Sequence, residues 1–136
     1  MIIRVTTNDI VTVHRYPSDK KFNECKVLAS MIGENCDWVE RVQPKKLYVD
    51  FGVDIDIDHG KKVVMLVDEE GLLKDLDFNY FGSWLYGNTI LGNILLVGEH
   101  YGPEGPEFCD IHGEVFEELL LKVKNFVRKI QRGRKE

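Results

Sequence analysis

The chain has 136 residues, 43% of them hydrophobic, and a formal net charge of −5. That length reads as one domain with enough apolar side chains for a real core, and no apolar run reaches the 18 residues a membrane helix needs. Residues 1–121 hold 11 Lys+Arg against 22 Asp+Glu, whereas 122–136 hold 7 against 1, and an acidic body with a basic tail argues against broad wrapping by nucleic acid.

The first residues, MIIRVTTND, lack the charged-then-apolar layout of a secretory leader. Cys25, Cys36 and Cys109 are odd in number and show no CxxC spacing, so they read as reduced thiols. Both features lead us to expect a cytoplasmic protein with no membrane partner.

Residues 2–6 and 10–16 read as two strands, with Asn8-Asp9 as the turn of a hairpin. Tyr16-Pro17 ends the second strand and Ser18 is a suitable N-cap. Residues 19–32 are then expected to be helical, with Phe22, Cys25, Leu28, Ala29 and Ile32 on one apolar face. Gly33 would close that helix in the left-handed conformation. Residues 38–42 (WVERV) alternate as a half-buried strand until Pro44, and 47–51 (LYVDF) read as another strand. In 53–60 (VDIDIDHG), Asp54, Asp56 and Asp58 alternate with apolar residues. On a strand they form a carboxylate ladder with a spacing of about 7 Å.

Residues 63–67 (VVMLV) fit a strand buried on both faces. Asp68-Glu69-Glu70-Gly71 then marks a turn, with Gly71 free to take positive φ. Asn79 is placed to cap a short helix over 80–86, ended by Gly87-Asn88. Residues 90–97 (ILGNILLV) read as a second buried strand in which Gly92-Asn93 forms a bulge or a point of close approach. Residues 99–111 are rich in Gly and Pro and are expected to be an irregular loop. An amphipathic helix over 112–132 closes the chain. Its stripe is Val115, Leu119, Val123, Val127 and Ile130, with acids at its start and bases at its end.

The DEEG turn (68–71), the Asn79 cap before an aromatic helix and the Gly92-Asn93 pair together resemble a small uncharacterised family of bacteriophages and other mobile elements. The resemblance covers 1–98, most clearly 63–98. It departs from the pattern in the acidic 50–60 stretch and in the C-terminal helix. It implies a mobile-element origin but no reaction or ligand, so no functional residue is carried over from it.

The expected fold is α+β: one domain with a mostly antiparallel sheet of five to seven strands, an N-terminal helix and a C-terminal helix. Both helices are expected on one face, which leaves the other to solvent or to a second copy of the chain. A homo-oligomer is therefore expected.

Catalytic motifs are missing. No GxSxG, H-x-[ST] pair or glycine-rich phosphate loop is present. The Asp54–Asp56–Asp58 ladder opens like a calcium loop, but Gly60 comes one place late and the twelfth position is Met65. A solvated strand edge explains it better. His100, Cys109 and His112 lack the doubled spacing of a structural zinc site. We therefore expect no metal, no cofactor and no enzyme, with a metal-dependent hydrolase using Asp54, Asp56 and Asp58 as the weaker alternative.

The aromatic cluster Phe78, Tyr80, Phe81, Trp84 and Tyr86 is interleaved with Asn79, Asn88 and Asn93. Aromatic faces beside amides can stack a base and read its edge. One reading is therefore a non-enzymatic anti-defence protein that sequesters a nucleotide-type signal. Phe81, Trp84 and Tyr86 would hold the base, Asn88 and Asn93 its polar edge, and Arg128 and Arg132 the phosphates. The alternative is an acidic protein-interaction module that occupies a host nucleic-acid-binding protein.

Overall fold

The computed structural model describes residues 1–17, 24–51 and 61–135. The expected Ser18 cap, residues 19–23 of the expected helix with Phe22, and the Asp54–Asp56–Asp58 ladder lie outside them. In chain order the elements are β1 (Ile2–Val5), β2 (Val11–His14), α1 (Glu24–Ile32), β3 (Val39–Val42), α2 (Lys45–Asp50), β4 (Lys62–Asp68), α3 (Tyr80–Tyr86), β5 (Ile94–Gly102), β6 (Gly105–Cys109) and α4 (Gly113–Lys135). The fold is α+β. Every strand pairing is antiparallel, in the order β2-β1-β5-β4-β3, with β6 also on β5. No helix among the described residues is long and apolar enough to cross a membrane.

Strand alternation sorts the core into two layers. Ile3, Val5, Val63, Met65, Val67, Ile94 and Leu96 face α2, α3 and α4, where Leu47, Phe81, Leu85, Leu119, Val123 and Val127 meet them. Ile2, Val64, Leu66, Leu95 and Val97 face the other way, against Leu28, Ala29 and Ile32 of α1. This corrects the expectation that both long helices share a face. The second face already carries α1, so it needs no second copy of the chain to cover it. The sequence could not show this, because β4 and β5 are apolar on both sides and their pattern does not say which helix goes where.

Three further expectations are corrected. Residues 47–51 are not a strand: α2 spans Lys45–Asp50. A strand would put Leu47, Val49 and Phe51 on one face. In the structure Leu47 and Phe51, one helical turn apart, are buried, and Val49 is 82% exposed. Nor are residues 99–111 irregular. β5 runs on to Gly102 and pairs with β6 from Gly98↔Cys109 to Gly102↔Gly105. Gly105 supplies φ 124° at the turn. Pro106 is tolerated because, among the described residues, β6 has no partner strand beyond β5. Finally, Gly92-Asn93 precede β5 rather than interrupt it. Gly92 takes φ 90° and its N–H donates to Asp77 O at 2.7 Å. The chain therefore bends here before it enters the sheet.

Two glycines expected to be left-handed, Gly33 and Gly71, have no positive φ. Gly71 is needed for space instead: a Cβ there would lie 2.9 Å from Leu91 O. The α3 expectation holds in detail. Asn79 Oδ1 accepts from Gly82 N, and Gly87 ends the helix at φ 86°. α4 runs past Gly133 to Lys135.

Candidate functional site

The residues expected to hold a nucleotide do not meet. Phe81 is fully buried in the layer under α3. Trp84 stacks on Phe126 of α4 with ring centroids 4.0 Å apart, and the Lys46 ammonium lies 4.9 Å from its ring. Tyr86 packs half-buried against the same layer. Asn88 stands in the exposed turn after α3, where its side chain accepts from Thr89 N.

Asn93 lies elsewhere, in a cleft of about 310 Å³ between the end of α1 and the segment after β4. Both ends of its amide are engaged: Oδ1 accepts from Thr7 N at 3.1 Å and Nδ2 donates to Ile32 O at 2.7 Å. Arg128 and Arg132 are exposed. Helical spacing places them on the side of α4 away from Val123 and Val127, and so away from Trp84. The aromatic helix is thus a wedge between sheet and α4: Phe81 is core, Trp84 and Tyr86 pack half-buried against it, and Tyr80 is exposed. Expecting Phe81, Trp84 and Tyr86 to stack a base underestimated how much apolar surface a long amphipathic α4 needs to cover.

The histidines and cysteine weighed for zinc are also dispersed in role. His100 Nε2 is 3.6 Å from Glu107, and His112 Nδ1 accepts from Glu114 N at the start of α4. Among the described residues no group of three His, Cys, Asp or Glu is placed to hold a metal.

The structure does assemble an unusual surface at the DEEG turn. Trp38, Leu72 and Leu73 are 66%, 81% and 84% exposed. Trp38, Leu73, Glu69 and Glu70 line one open depression. Glu40, Glu69, Gly71 and Leu72 line a second of about 220 Å³, with Val67, Ile90 and Leu91 contributing its apolar part. Glu69 belongs to both, so the two form one strip along the β3–β4 edge. Glu40, Glu69 and Glu70 have no ion-pair partner among the described residues.

These leucines stand on an ordered turn. Asp68, with only 2% of its side chain exposed, organises it. Its Oδ1 accepts from Glu70 N at 2.8 Å, and its Oδ2 accepts from Lys74 Nζ at 3.0 Å. Lys74 Nζ also donates to Asn35 O. Main-chain bonds from Lys74 N to Glu70 O, Asp75 N to Leu72 O and Leu76 N to Gly71 O close the segment. The hydrogen bond to Asp68 raises the Lys74 pKa above its ordinary value. Nearby, burial and then the Asp68 charge push the Cys36 thiol up to about 11. That thiol stays protonated at neutral pH and is a poor nucleophile.

Behind the strip, β3 is fixed to the sheet by a buried charge. Glu99 is completely buried. Arg41 grips it with two bonds, Nε to Oε2 at 2.5 Å and Nη2 to Oε1 at 2.6 Å, and Lys62 Nζ lies 3.7 Å away. The hydrogen bond to Glu99 raises the Arg41 pKa. Beside them, Tyr48 donates to Val63 O at 2.6 Å, and burial pushes its phenol up to about 12.

Sequence reasoning placed the DEEG turn but gave Leu72 and Leu73 no role. The available signal was that these two leucines follow a turn without joining any apolar period. Comparison with protein-family models, with curated proteins and with solved structures finds no match for this chain.

Proposed function

We propose that this chain is a non-enzymatic protein-binding module whose docking face is the acidic, apolar strip of Trp38, Leu72, Leu73, Glu40, Glu69 and Glu70. One observation carries the reading: Leu72 and Leu73 stand exposed on a hydrogen-bonded turn, and the exposed Trp38 lines the same depression as Leu73. Water-exposed leucines on a preorganised turn favour burial by a partner, because little conformational freedom remains to be lost on docking. The unpaired carboxylates around them select a basic partner. That agrees with an acidic module occupying the surface of a nucleic-acid-binding protein. A mobile-element origin, which the resemblance of residues 63–98 implies, would make that partner a host protein. The sequestration of a nucleotide finds no assembled site among the described residues.

The test is affinity capture by the wild-type chain and by Trp38→Ala/Leu73→Ala. The wild type is expected to retain a basic protein at low salt and to release it as salt rises, with the variant retaining none. Equal retention by both chains would overturn the reading.

A further inference from the structure

The strip borders the open edge of the sheet, and this edge has a defined hydrogen-bonding pattern. Glu69 N donates to Trp38 O at 3.0 Å, which makes Trp38 and Glu69 a hydrogen-bonded pair. With the register Val39↔Asp68, Glu40↔Val67, Arg41↔Leu66 and Val42↔Met65, alternation turns the Glu40 and Val42 main chain toward β4. The Val39 and Arg41 N–H and C=O groups then point outward. β3 ends the strand order, and no described residue pairs with that side.

The side chains on this edge also alternate. Trp38 and Glu40 are two apart and share a face, and Glu69 lies across from Trp38 on that face. Leu72 and Leu73 extend the same strip. On the opposite face Arg41 is already committed to Glu99 and Val39 is half-buried against the α1 layer. One face of the edge is therefore acidic and apolar and open, and the other is closed.

We propose that the occupant of the docking face is an extended basic segment of a partner protein, added as a further strand on β3. This rests on the docking-face reading above and specifies its partner. Main-chain bonds to Val39 and Arg41 would supply affinity in a sequence-independent way. Alternate side chains would supply specificity, with an apolar residue against Trp38 and Leu73 and a basic one against Glu40 and Glu69. The charge pattern decides the chemistry: an acidic segment would set like charges directly opposite across the edge, which is unfavourable. Four residues give a short edge, so the apolar contacts beside it are needed to hold a segment there.

The test is amide hydrogen exchange and NMR titration of the full chain with two synthetic peptides. One alternates lysine with valine; the other alternates glutamate with valine. The lysine peptide is expected to bind saturably and to slow exchange at Val39 and Arg41 at least tenfold. The glutamate peptide is expected not to bind. Val39→Pro removes only an outward N–H, so it is expected to keep the fold and lose the lysine peptide. If the lysine peptide shifts Trp38 and Leu73 without protecting Val39 and Arg41, strand addition is overturned while the docking face stands. If it shifts neither, both fall. Protection at Val39 and Arg41 that grows with protein concentration without peptide would overturn the proposal in favour of pairing between two copies of β3.

Discussion

The side chain of Asn79 is bonded to the main chain of Val5, 74 residues earlier in the chain. Its Nδ2 donates to Val5 O at 3.1 Å and to Gly92 O at 3.0 Å, while its Oδ1 caps α3 through Gly82 N at 2.8 Å. Asn79 is fully buried. One amide thus ties β1, the bend before β5 and the start of α3 together, with both of its ends used. Replacing it by Ala removes a cap and leaves two buried carbonyls without this donor. Asn79→Ala is expected to cost about 3 kcal/mol in a urea unfolding experiment. Asn79→Asp keeps the cap but sets a carboxylate oxygen against two carbonyls, so it is expected to be at least as destabilising. An aspartate variant close to wild type would show that the Nδ2 bonds contribute little.

The Glu99–Arg41 pair predicts a contrast between a single and a double variant. Arg41→Ala leaves a buried carboxylate with Lys62 as its remaining ion-pair partner among the described residues, and it is expected to cost about 3 kcal/mol. Arg41→Leu/Glu99→Leu removes both charges and is expected to recover most of that loss. A double variant as unstable as the single would mean that the pair itself, rather than its unmatched half, carries the stability.

High pH should loosen the protein in a defined window. Burial raises the Cys36 thiol from 9.0 to about 11 and the Tyr48 phenol from 10.0 to about 12. Both groups hold their protons longer folded than unfolded. Their contribution is therefore complete below about pH 9 and is lost as pH rises, through about 11 for Cys36 and about 12 for Tyr48. The urea midpoint is expected to fall between pH 8 and 10.5 by an amount equivalent to about 1–2 kcal/mol. Cys36→Ala should flatten the first part of that fall. At pH 8 iodoacetamide should label the exposed Cys25 and leave the buried Cys36 untouched until the chain unfolds.

Gly98 sits where β5 passes beneath the segment leading to α4. A Cβ there would lie 2.3 Å from Asp110 O. That segment cannot easily retreat: Ile111 N donates to Met1 O at 3.0 Å, and the Asp110 carboxylate pairs with the N-terminal ammonium at 2.7 Å and accepts from Tyr16 N at 3.0 Å. Gly98→Ala is expected to cost about 2–3 kcal/mol by overpacking. A thermal melt within 2 °C of wild type would show that the segment yields.

The two tryptophans should respond oppositely. Trp38→Ala is expected to change stability by no more than about 0.5 kcal/mol, whereas Trp84→Ala, which empties the space beside Phe126, is expected to cost about 3 kcal/mol. Iodide should quench Trp38 fluorescence and spare Trp84. Adding nucleotides should leave the Trp84 emission unchanged, because Phe126 already stacks on its ring and the Lys46 ammonium stands over it.

Local chemistry was legible in the sequence. The β1–β2 hairpin, the Asn79 cap, the limits of α3, the long amphipathic α4 and the buried β4 all follow from spacing and side-chain type within about ten residues. The DEEG turn was legible as a turn for the same reason. What the sequence misread were residues whose role depends on distant neighbours. LYVDF suits a strand by composition and becomes a helix because Leu47 and Phe51 must share a face against the core. The Gly/Pro-rich 99–111 stretch suits a loop and becomes a hairpin because the long β5 offers it a free side beyond β1.

The sequence by itself determined an α+β fold, the Asn79 cap, the turn after β4 and the apolar stripe of α4, because those properties are set by short-range sterics and periodicity. Only the tertiary structure decided which apolar residues are core and which are left over. Phe81 was buried and Trp84 half-covered beneath Phe126 of α4, whereas Leu72 and Leu73 were left in water on the turn that Asp68 organises. An exposed and a buried leucine are identical in sequence. The difference between them is made by what the rest of the chain can reach.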